Sequence, residues 1–256
     1  MEDRDVVAKV HSLESFATLD GIGIRFDVFL QGCPLRCAVC HNPDTWKFGI
    51  GTEYTAGQLV DKIKRYKPYF KRGGGVTVSG GEPLGQSRFL ISFFRLLREE
   101  NINIAIDTSG SVWNFDAKEA MSLADMVILD LKFPTEELYY KYAKGSLART
   151  LEVLDFALNM GKEVWVRTVI IPGINDSEEM IDKYVELLRG KAIEKYELLA
   201  FHTMGFFKYE ELGIENPLKN TPPLKEDRLK ELQAYANCKL STPHVVTSVL
   251  DTHKAD

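Results

Sequence analysis

The sequence predicts an α/β protein with a mostly parallel sheet, arranged as an incomplete, TIM-like (β/α)6 barrel. Short β-rich runs alternate six times with helical patterns along the chain, and parallel strands need such crossover helices. Polar, cysteine or glycine residues follow most predicted strands at the carboxyl end, where a barrel of this kind gathers its site. An open, doubly wound sheet would place a ligand at the same strand ends and is the alternative architecture.

The predicted elements begin after an irregular lead-in at residues 6–16, which contains a short β-like stretch. Each strand is a short run of β-branched, aromatic or leucine residues, and each helix repeats apolar residues three and four positions apart. Ser177 or Asp176 caps the fifth helix. The strands are residues 25–30, 75–79, 102–106, 126–129, 163–170 and 196–200, and the helices that follow them are residues 56–66, 89–99, 117–124, 147–160, 177–188 and 225–236.

Composition limits the class of protein. The 256 residues, 45% of them hydrophobic, suffice for one sizeable core, so we expect a single domain with its core at residues 10–237 and a tail from Ser241. The net charge of -5 comes without a basic stripe, which argues against a nucleic-acid partner. No apolar run reaches the roughly 18 residues of a membrane span, and the first residues are charged, so we expect a cytoplasmic protein without membrane contact.

Three of the four cysteines, Cys33, Cys37 and Cys40, follow the first predicted strand in a Cys-x3-Cys-x2-Cys pattern. In a reducing compartment such thiols serve metal binding or catalysis. Zinc sites and iron-sulfur clusters usually take four protein ligands, but Cys238 lies far along the chain, where we expect an inert buried thiol. We therefore interpret the loop as an iron-sulfur site with one iron open to a substrate or cofactor. A structural zinc knuckle, or three unrelated thiols, is the competing interpretation.

Further motifs lie before the first strand, after the cysteine loop and at the ends of later strands. They are Asp20-Gly21-x-Gly23-Ile24-Arg25-Phe26, Cys40-His41-Asn42-Pro43-Asp44-Thr45-Trp46, Gly80-Gly81-Glu82-Pro83, Asp107-Thr108-x-Gly110 and Asp130-Leu131-Lys132. With the cysteine loop, these motifs resemble the radical S-adenosylmethionine (SAM) superfamily and, more narrowly, the activating enzymes of glycyl radical enzymes, over residues 10–235. One departure is Ile22, where that family usually has Pro. The chain has no cysteine-rich insert after the loop, which favours the branch whose partner is pyruvate formate-lyase.

The resemblance implies a cofactor set and a reaction. In this family a [4Fe-4S] cluster held by three cysteines binds SAM at its open iron, one electron cleaves SAM, and the radical so formed removes hydrogen from a backbone glycine of a partner. For this chain the implied partners are the glycine loop of pyruvate formate-lyase and a flavodoxin or ferredoxin-type electron donor, with the chain itself a monomer. The reaction requires anaerobic conditions and a site shielded from solvent.

The resemblance also assigns residues around SAM. Gly80 and Gly81 let backbone approach the methionine part, Glu82 accepts from the ammonium of SAM, and Lys132 meets its carboxylate. The resemblance implies catalytic roles for Lys132 and Asp20, and Asp20 would act toward the glycine loop of the partner. It implies a monovalent cation held by Asp107, Thr108 and Asp130. It also implies SAM contacts from Val39, His41, Asp130, Leu131, Arg167 and His202. Ordinary turns, helix caps and structural ion pairs are the competing interpretations.

Other functions remain open at this point. The chain could activate a different glycyl radical enzyme, or act as a radical SAM enzyme on a small molecule, which an enclosed substrate cavity would favour over an open lateral face. An electron-transfer or structural metal protein would need Cys238 as a fourth ligand. Residues 204–213 follow the last predicted strand, and we expect them to help receive a partner.

Overall fold

Eight strands form one sheet in the computed structural model, which describes residues 2–240. The strands are β1 (Val7–Ala17), β2 (Arg25–Leu30), β3 (Thr52–Thr55), β4 (Gly75–Gly80), β5 (Asn103–Thr108), β6 (Met126–Asp130), β7 (Glu163–Ile170) and β8 (Lys195–Ala200). The sheet order is β3-β1-β2-β4-β5-β6-β7-β8. From β2 onward neighbouring strands in this order are parallel, and β1 pairs antiparallel with both β2 and β3. Within residues 2–240 the two edge strands do not pair, so the sheet is an incomplete barrel and the predicted fold class is confirmed.

Helices follow the parallel strands and cover the outer face of the sheet. In residues 2–240 they are α1 (Ala56–Ile63), α2 (Ser87–Glu99), α3 (Phe115–Leu123), α4 (Glu136–Ala143), α5 (Leu147–Asn159), α6 (Glu178–Leu188), α7 (Phe207–Glu211) and α8 (Glu226–Leu240). The hydroxyl of Ser177 accepts from the amide of Met180 at 3.3 Å, which confirms Ser177 as the cap of α6. None of these helices is long and apolar enough to cross a bilayer.

Several elements differ from the sequence prediction. The lead-in is β1, an 11-residue strand whose two register shifts against β2 interrupt the alternation by which a strand is detected. The helix predicted over residues 56–66 ends at Ile63 and continues as a 3-10 helix, Lys64–Tyr69, which contains Pro68. The short elements β3, α4 and α7 have no predicted counterpart, because four to eight residues hold too few turns or alternations to reveal a period.

Cys238 is exposed near the end of α8, so the prediction of a buried thiol is wrong. This helix buries Leu232, Gln233 and Ala236, which lie on one face at a spacing of three to four residues, and position 238 falls off that face. The tail predicted from Ser241 lies outside the described residues.

Two charged residues of β2 are fully buried. Arg25 donates to the carbonyl oxygen of Val76 at 2.6 Å, and burial lowers its pKa to about 10. No donor within residues 2–240 reaches either oxygen of the Asp27 carboxylate, and the nearby polar group is the carboxylate of Asp20, to which Asp27 can donate only when it is protonated. Burial, with a smaller contribution from the carboxylate of Asp20, raises the pKa of Asp27 to about 8. Asp27 is therefore protonated at neutral pH in the folded chain.

Replacing Asp27 with Asn should flatten the pH dependence of stability. Folding raises the pKa of this carboxyl from 3.8 to about 8, so the unfolded chain ionises first and the free energy of unfolding falls as pH rises between these values. Denaturant titrations across this range should show the native chain losing more stability than Asp27→Asn. The exposed Glu137→Gln variant is the control and should follow the native chain. Parallel profiles for the native chain and Asp27→Asn would contradict the prediction.

Candidate functional site

A cavity of about 870 Å³ opens at the carboxyl ends of the parallel strands. Its volume suits a ligand of cofactor size. Most residues that the sequence predicts for the site meet in its wall: Asp20, Cys33, Cys37, Val39, Cys40, His41, Gly80, Gly81, Asp107, Thr108, Asp130, Lys132, Arg167 and His202. Two predicted residues, Glu82 and Leu131, are not part of this wall.

The three thiols of the loop face this cavity. Burial raises the pKa of both Cys33 and Cys37 to about 12 and also raises the pKa of Cys40, so these thiols ionise only where a positive charge stabilises the thiolate. A bound metal centre supplies such a charge. No group of three or more His, Cys, Asp or Glu side chains in the described part of the chain is arranged to hold a single metal ion. Three thiols in one cavity wall are one ligand short of a closed zinc site, so this donor set fits an iron-sulfur cluster with one open iron better than a zinc knuckle.

Hydrogen bonds from two sides hold the cysteine loop. The amides of Arg36 and Ala38 donate to the carbonyl oxygens of Ala143 and Tyr142 near the end of α4, at 2.9 and 2.7 Å. On the other side, the hydroxyl of Tyr209 on α7 donates to the carbonyl oxygen of Cys40 at 3.0 Å. Two short helices that the sequence did not reveal therefore determine the position of the loop.

Two glycines after β4 allow the next turn to touch the cysteine loop. Gly80 has a φ of +108°, a conformation that glycine adopts without strain. A Cβ on Gly81 would lie 2.3 Å from the carbonyl oxygen of Gly32, and the amide of Glu82 donates to that same oxygen at 2.8 Å. The close approach explains glycine at position 81 and leaves bare backbone in the cavity wall.

Glu82 lies behind this wall. Its fully buried carboxylate accepts from the hydroxyls of Thr108, Ser109 and Ser111 at 2.6, 2.5 and 3.2 Å. The amides of Ser109 and Leu84 also donate to it, each at 3.1 Å. Both oxygens are therefore occupied within the protein. The structure gives Glu82 an internal structural role where the sequence predicted a contact with the ammonium of SAM.

Lys132 is a partly buried cation beside the thiols. It pairs with Asp130, and although burial disfavours its charge, Asp130 and Cys37 raise the pKa of Lys132 above its usual value. Leu131 packs its side chain into the core, and its amide donates to the carbonyl oxygen of Arg167 at 2.9 Å. Lys132 is thus placed to meet a carboxylate. Leu131 packs behind it, where the sequence predicted a contact with the cofactor.

Arg167 on β7 lies among carboxylates. It donates to Glu197 at 3.1 Å and to Asp20 at 3.2 Å, and Asp107 is 3.9 Å away. Burial disfavours the guanidinium charge, but Asp107, Glu197 and Asp20 together raise the pKa of Arg167. Burial, with the neighbouring carboxylate of Asp130, raises the pKa of Asp107 to about 7. Structural ion pairs, the competing interpretation for Arg167, are therefore present.

The cation ligands predicted from the resemblance, Asp107, Thr108 and Asp130, all reach the cavity wall. The hydroxyl of Thr108 already donates within the protein, and Lys132 and Arg167 bring positive charge to the two carboxylates. The cation site stays a prediction.

His41 and His202 stack in the wall, with ring centroids 4.0 Å apart and an angle of 24° between the rings. Burial, followed by the neighbouring His202, lowers the pKa of His41, so its ring is neutral near pH 7. Nδ1 of His202 is buried and has no hydrogen-bond partner among residues 2–240. With Val39 alongside, these rings suit a flat ligand that has a polar edge, such as a nucleoside.

The segment after β8 packs over the cysteine loop. A Cβ on Gly205 would lie 2.5 Å from the carbonyl oxygen of His41. Nζ of Lys208 lies 2.7 Å from Oδ1 of Asn42 and 3.0 Å from Oδ2 of Asp44, which is 164 residues earlier in the chain. The sequence predicts only a partner contact for this segment, because no local spacing reveals a pairing over such a distance.

Sequence reasoning missed Ser109, Ser111 and Glu197. Glu197 interrupts the apolar run of β8, and this inward-facing charge was a visible signal. The two serines gave no comparable signal, since polar residues are common in turns.

Comparison with known proteins agrees with the site. Residues 28–185 match the family model of the radical SAM superfamily. Over 233 residues the chain is 42% identical to the pyruvate formate-lyase-activating enzyme of Clostridium pasteurianum, covering 90% of this chain and 97% of that protein. Over 246 residues it is 39% identical to the protein of the same name from Listeria monocytogenes, covering 93% and 98%. It also superposes on a radical SAM methyltransferase from Sphaerobacter thermophilus, with a TM-score of 0.63 and 18% identity over 86% of this chain and 65% of that one, which supports the fold alone.

Replacing Glu82 with Gln should destabilise the protein by about 2–3 kcal/mol, because the new amide would direct a donor at groups that already donate to this position. Denaturant unfolding measures the change. Ser111→Ala is the matched control, since it removes a single contact to Glu82 and should cost about 1 kcal/mol or less. Unchanged stability of Glu82→Gln together with weakened SAM binding would contradict the structural role and favour a contact with the ammonium of SAM.

Proposed function

We propose that this chain generates the glycyl radical of pyruvate formate-lyase. The chain belongs to the radical SAM superfamily and, within it, to the family of pyruvate formate-lyase-activating enzymes. The observation that best supports the proposal is that three loop thiols share one cavity with Lys132 and His202. When bound, a [4Fe-4S] cluster supplies the one-electron reduction that cleaves SAM and so permits hydrogen removal from a backbone glycine. The residues of this chain bind and orient the reactants for that chemistry.

In this proposal Cys33, Cys37 and Cys40 hold the cluster and leave one iron for SAM. The ammonium of Lys132, kept charged by Asp130, orients the SAM carboxylate through a charge-assisted hydrogen bond. The bare backbone of the turn after β4 lies against the methionine part, where any side chain would intrude on the loop. Asp107, Thr108 and Asp130 hold a monovalent cation beside it.

The nucleoside part of SAM lies against His41, Val39 and His202. The buried Nδ1 of His202 has no partner in the described chain, so a polar group of the ligand would satisfy it. The His41 ring is neutral and stacked, and adds flat apolar surface next to the cluster loop. Together these residues orient the ligand and exclude water from the reacting atoms.

The glycine loop of pyruvate formate-lyase reaches the cavity from its open side. Leu19 and Met204 line the cavity and are 60% and 76% exposed, so the rim offers apolar surface that a protein partner would cover. Asp20, held by Arg167, contacts the incoming loop. This exposed rim favours a protein substrate over a small molecule enclosed by the chain.

The chain acts as a single-domain monomer in the cytoplasm, and a flavodoxin or ferredoxin-type protein supplies the electron. The net charge of -5 is compatible with such protein partners and argues against nucleic acid as a partner.

Electron paramagnetic resonance tests the function. The protein is reconstituted anaerobically with iron and sulfide, reduced with dithionite, and mixed with SAM and pyruvate formate-lyase. A glycyl radical signal on the partner is the expected result. An intact, SAM-binding cluster that gives no such signal would reject the proposal, and SAM cleavage without a partner radical would favour a small-molecule substrate.

Two cysteine variants test the cluster ligands. Cys37→Ala should lose the [4Fe-4S] absorbance and the glycyl radical signal, because the remaining two thiols cannot hold the cluster. Cys238→Ala is the matched control and should keep both, with stability changed by no more than about 0.5 kcal/mol at this exposed position. Loss of the cluster in Cys238→Ala would contradict this assignment, since it would make Cys238 a fourth ligand.

A further inference from the structure

In the first half of the cysteine loop a single segment of chain separates the cavity from solvent. Cys33, Leu35 and Cys37 line the cavity, whereas the intervening Pro34 and Arg36 are exposed and are not part of the cavity wall. The loop therefore has an inner side that faces the ligands and an outer side that faces solvent directly behind two of the thiols.

The outer side of the loop is positively charged. Four exposed cations, Arg36, Lys47, Lys141 and Lys144, come from the loop, from its extension and from the end of α4. None of them forms an ion pair with a carboxylate in the described chain, although the chain as a whole carries a charge of -5. Unpaired charges of one sign on a surface create a local potential that attracts the opposite charge.

Direct contacts connect these residues to the thiol loop. Arg36 donates to the carbonyl oxygen of Cys33 at 2.8 Å, and its guanidinium lies 5.0 Å from the ring of Trp46. Lys144 lies over the ring of Tyr140 at 5.2 Å, in the turn that receives the loop amides.

The elements that carry these cations also expose two aromatic rings. Phe48 is 49% exposed and packs over Gly32, where a Cβ would lie 2.3 Å from the ring, and Tyr140 is 66% exposed. We call this surface the basic patch and define it by Arg36, Lys47, Phe48, Tyr140, Lys141 and Lys144. Aromatic rings and Arg are enriched at protein interfaces, and the three lysines add positive charge around them.

Acidic residues of the same elements do not neutralise the basic patch. Asp44 pairs with Lys208, and the carboxylate of Glu136 accepts from the amides at the start of α5. Glu137 is exposed one turn before Lys141 on α4, but the two side chains form no ion pair in the described chain, so the four cations exceed this one carboxylate.

We propose that the basic patch is the docking surface for an acidic one-electron carrier protein. The inference rests on the proposed function, because it requires a redox cluster on the inner side of the wall. The reduced carrier loses one electron and the oxidised cluster gains it, with no bond made or broken in the protein. Complementary charge speeds such encounters, and small, weak interfaces are usual for electron transfer. The glycine loop reaches the inner side, so the carrier and the substrate protein occupy different surfaces.

Charge reversal on α4 tests the docking surface. The holoprotein with Lys141→Glu and Lys144→Glu is mixed with reduced flavodoxin, an acidic carrier, and cluster reduction is followed by stopped-flow absorbance at low and high salt. The second-order rate at low salt should fall at least about tenfold, and its salt dependence should flatten. The matched control is Lys62→Glu with Arg65→Glu, which makes the same charge change at the last turn of α1 and just after it, and should keep the native rate.

Dithionite separates docking from the rest of the reaction. With dithionite as reductant, the α4 variant should be reduced at the native rate and should give the native yield of glycyl radical. An unchanged rate with flavodoxin, an equal loss in the control variant, or an equal loss with dithionite would overturn the docking proposal. Weaker binding of pyruvate formate-lyase to the variant would also overturn it, because the basic patch would then serve the substrate protein. Failure of the native chain to yield a glycyl radical with dithionite would instead count against the proposed function.

Discussion

The site depends on the contact between two turns, one after β2 and one after β4. Because position 81 has no side chain, the second turn lies directly on the first, and the carbonyl oxygen of Gly32 accepts from the amide of Glu82. Glu82 then gathers the hydroxyls of the turn after β5, so three strand ends are held in one arrangement. The thiol loop starts from this assembly, so the position of its first residues follows from a backbone contact that only glycine permits, and α4 and α7 hold the rest.

Ion pairs with carboxylates compensate the cations inside the incomplete barrel. Arg167 is buried and Lys132 is partly buried, and neighbouring carboxylates keep both of them charged. Buried pairs stabilise little when compared with apolar packing, but removing one partner leaves an uncompensated charge, so such groups maintain a defined geometry. Asp27 differs from them, because no donor or cation in the described chain reaches its carboxylate oxygens, and a raised pKa keeps it neutral. The interior thus combines fixed charges near the cavity with a neutral acid deeper in the sheet.

The open side of the cavity and the outer side of the thiol loop expose different kinds of residue. On the cavity side the exposed rim residues Leu19 and Met204 are apolar, whereas the outer side of the loop carries cations. A reaction that takes an electron from one protein and a hydrogen atom from another benefits from two separate surfaces, because neither partner then blocks the other. The thin wall of the thiol loop is what brings these two surfaces close together.

The sequence by itself determined the parallel core and the chemistry of the site. The runs at residues 25–30 and 163–170 are observed as β2 and β7 with the predicted bounds, because short runs rich in β-branched and aromatic residues favour strands even where they include a charged residue. The thiol spacing likewise identified the loop. Tertiary structure alone decided that Glu82 and Leu131 turn away from the cavity, that Cys238 is exposed, and that α4 and α7 hold the loop. The direction of a side chain past a strand end, and the pairing of Lys208 with Asp44 across most of the chain, depend on neighbours that no local pattern encodes.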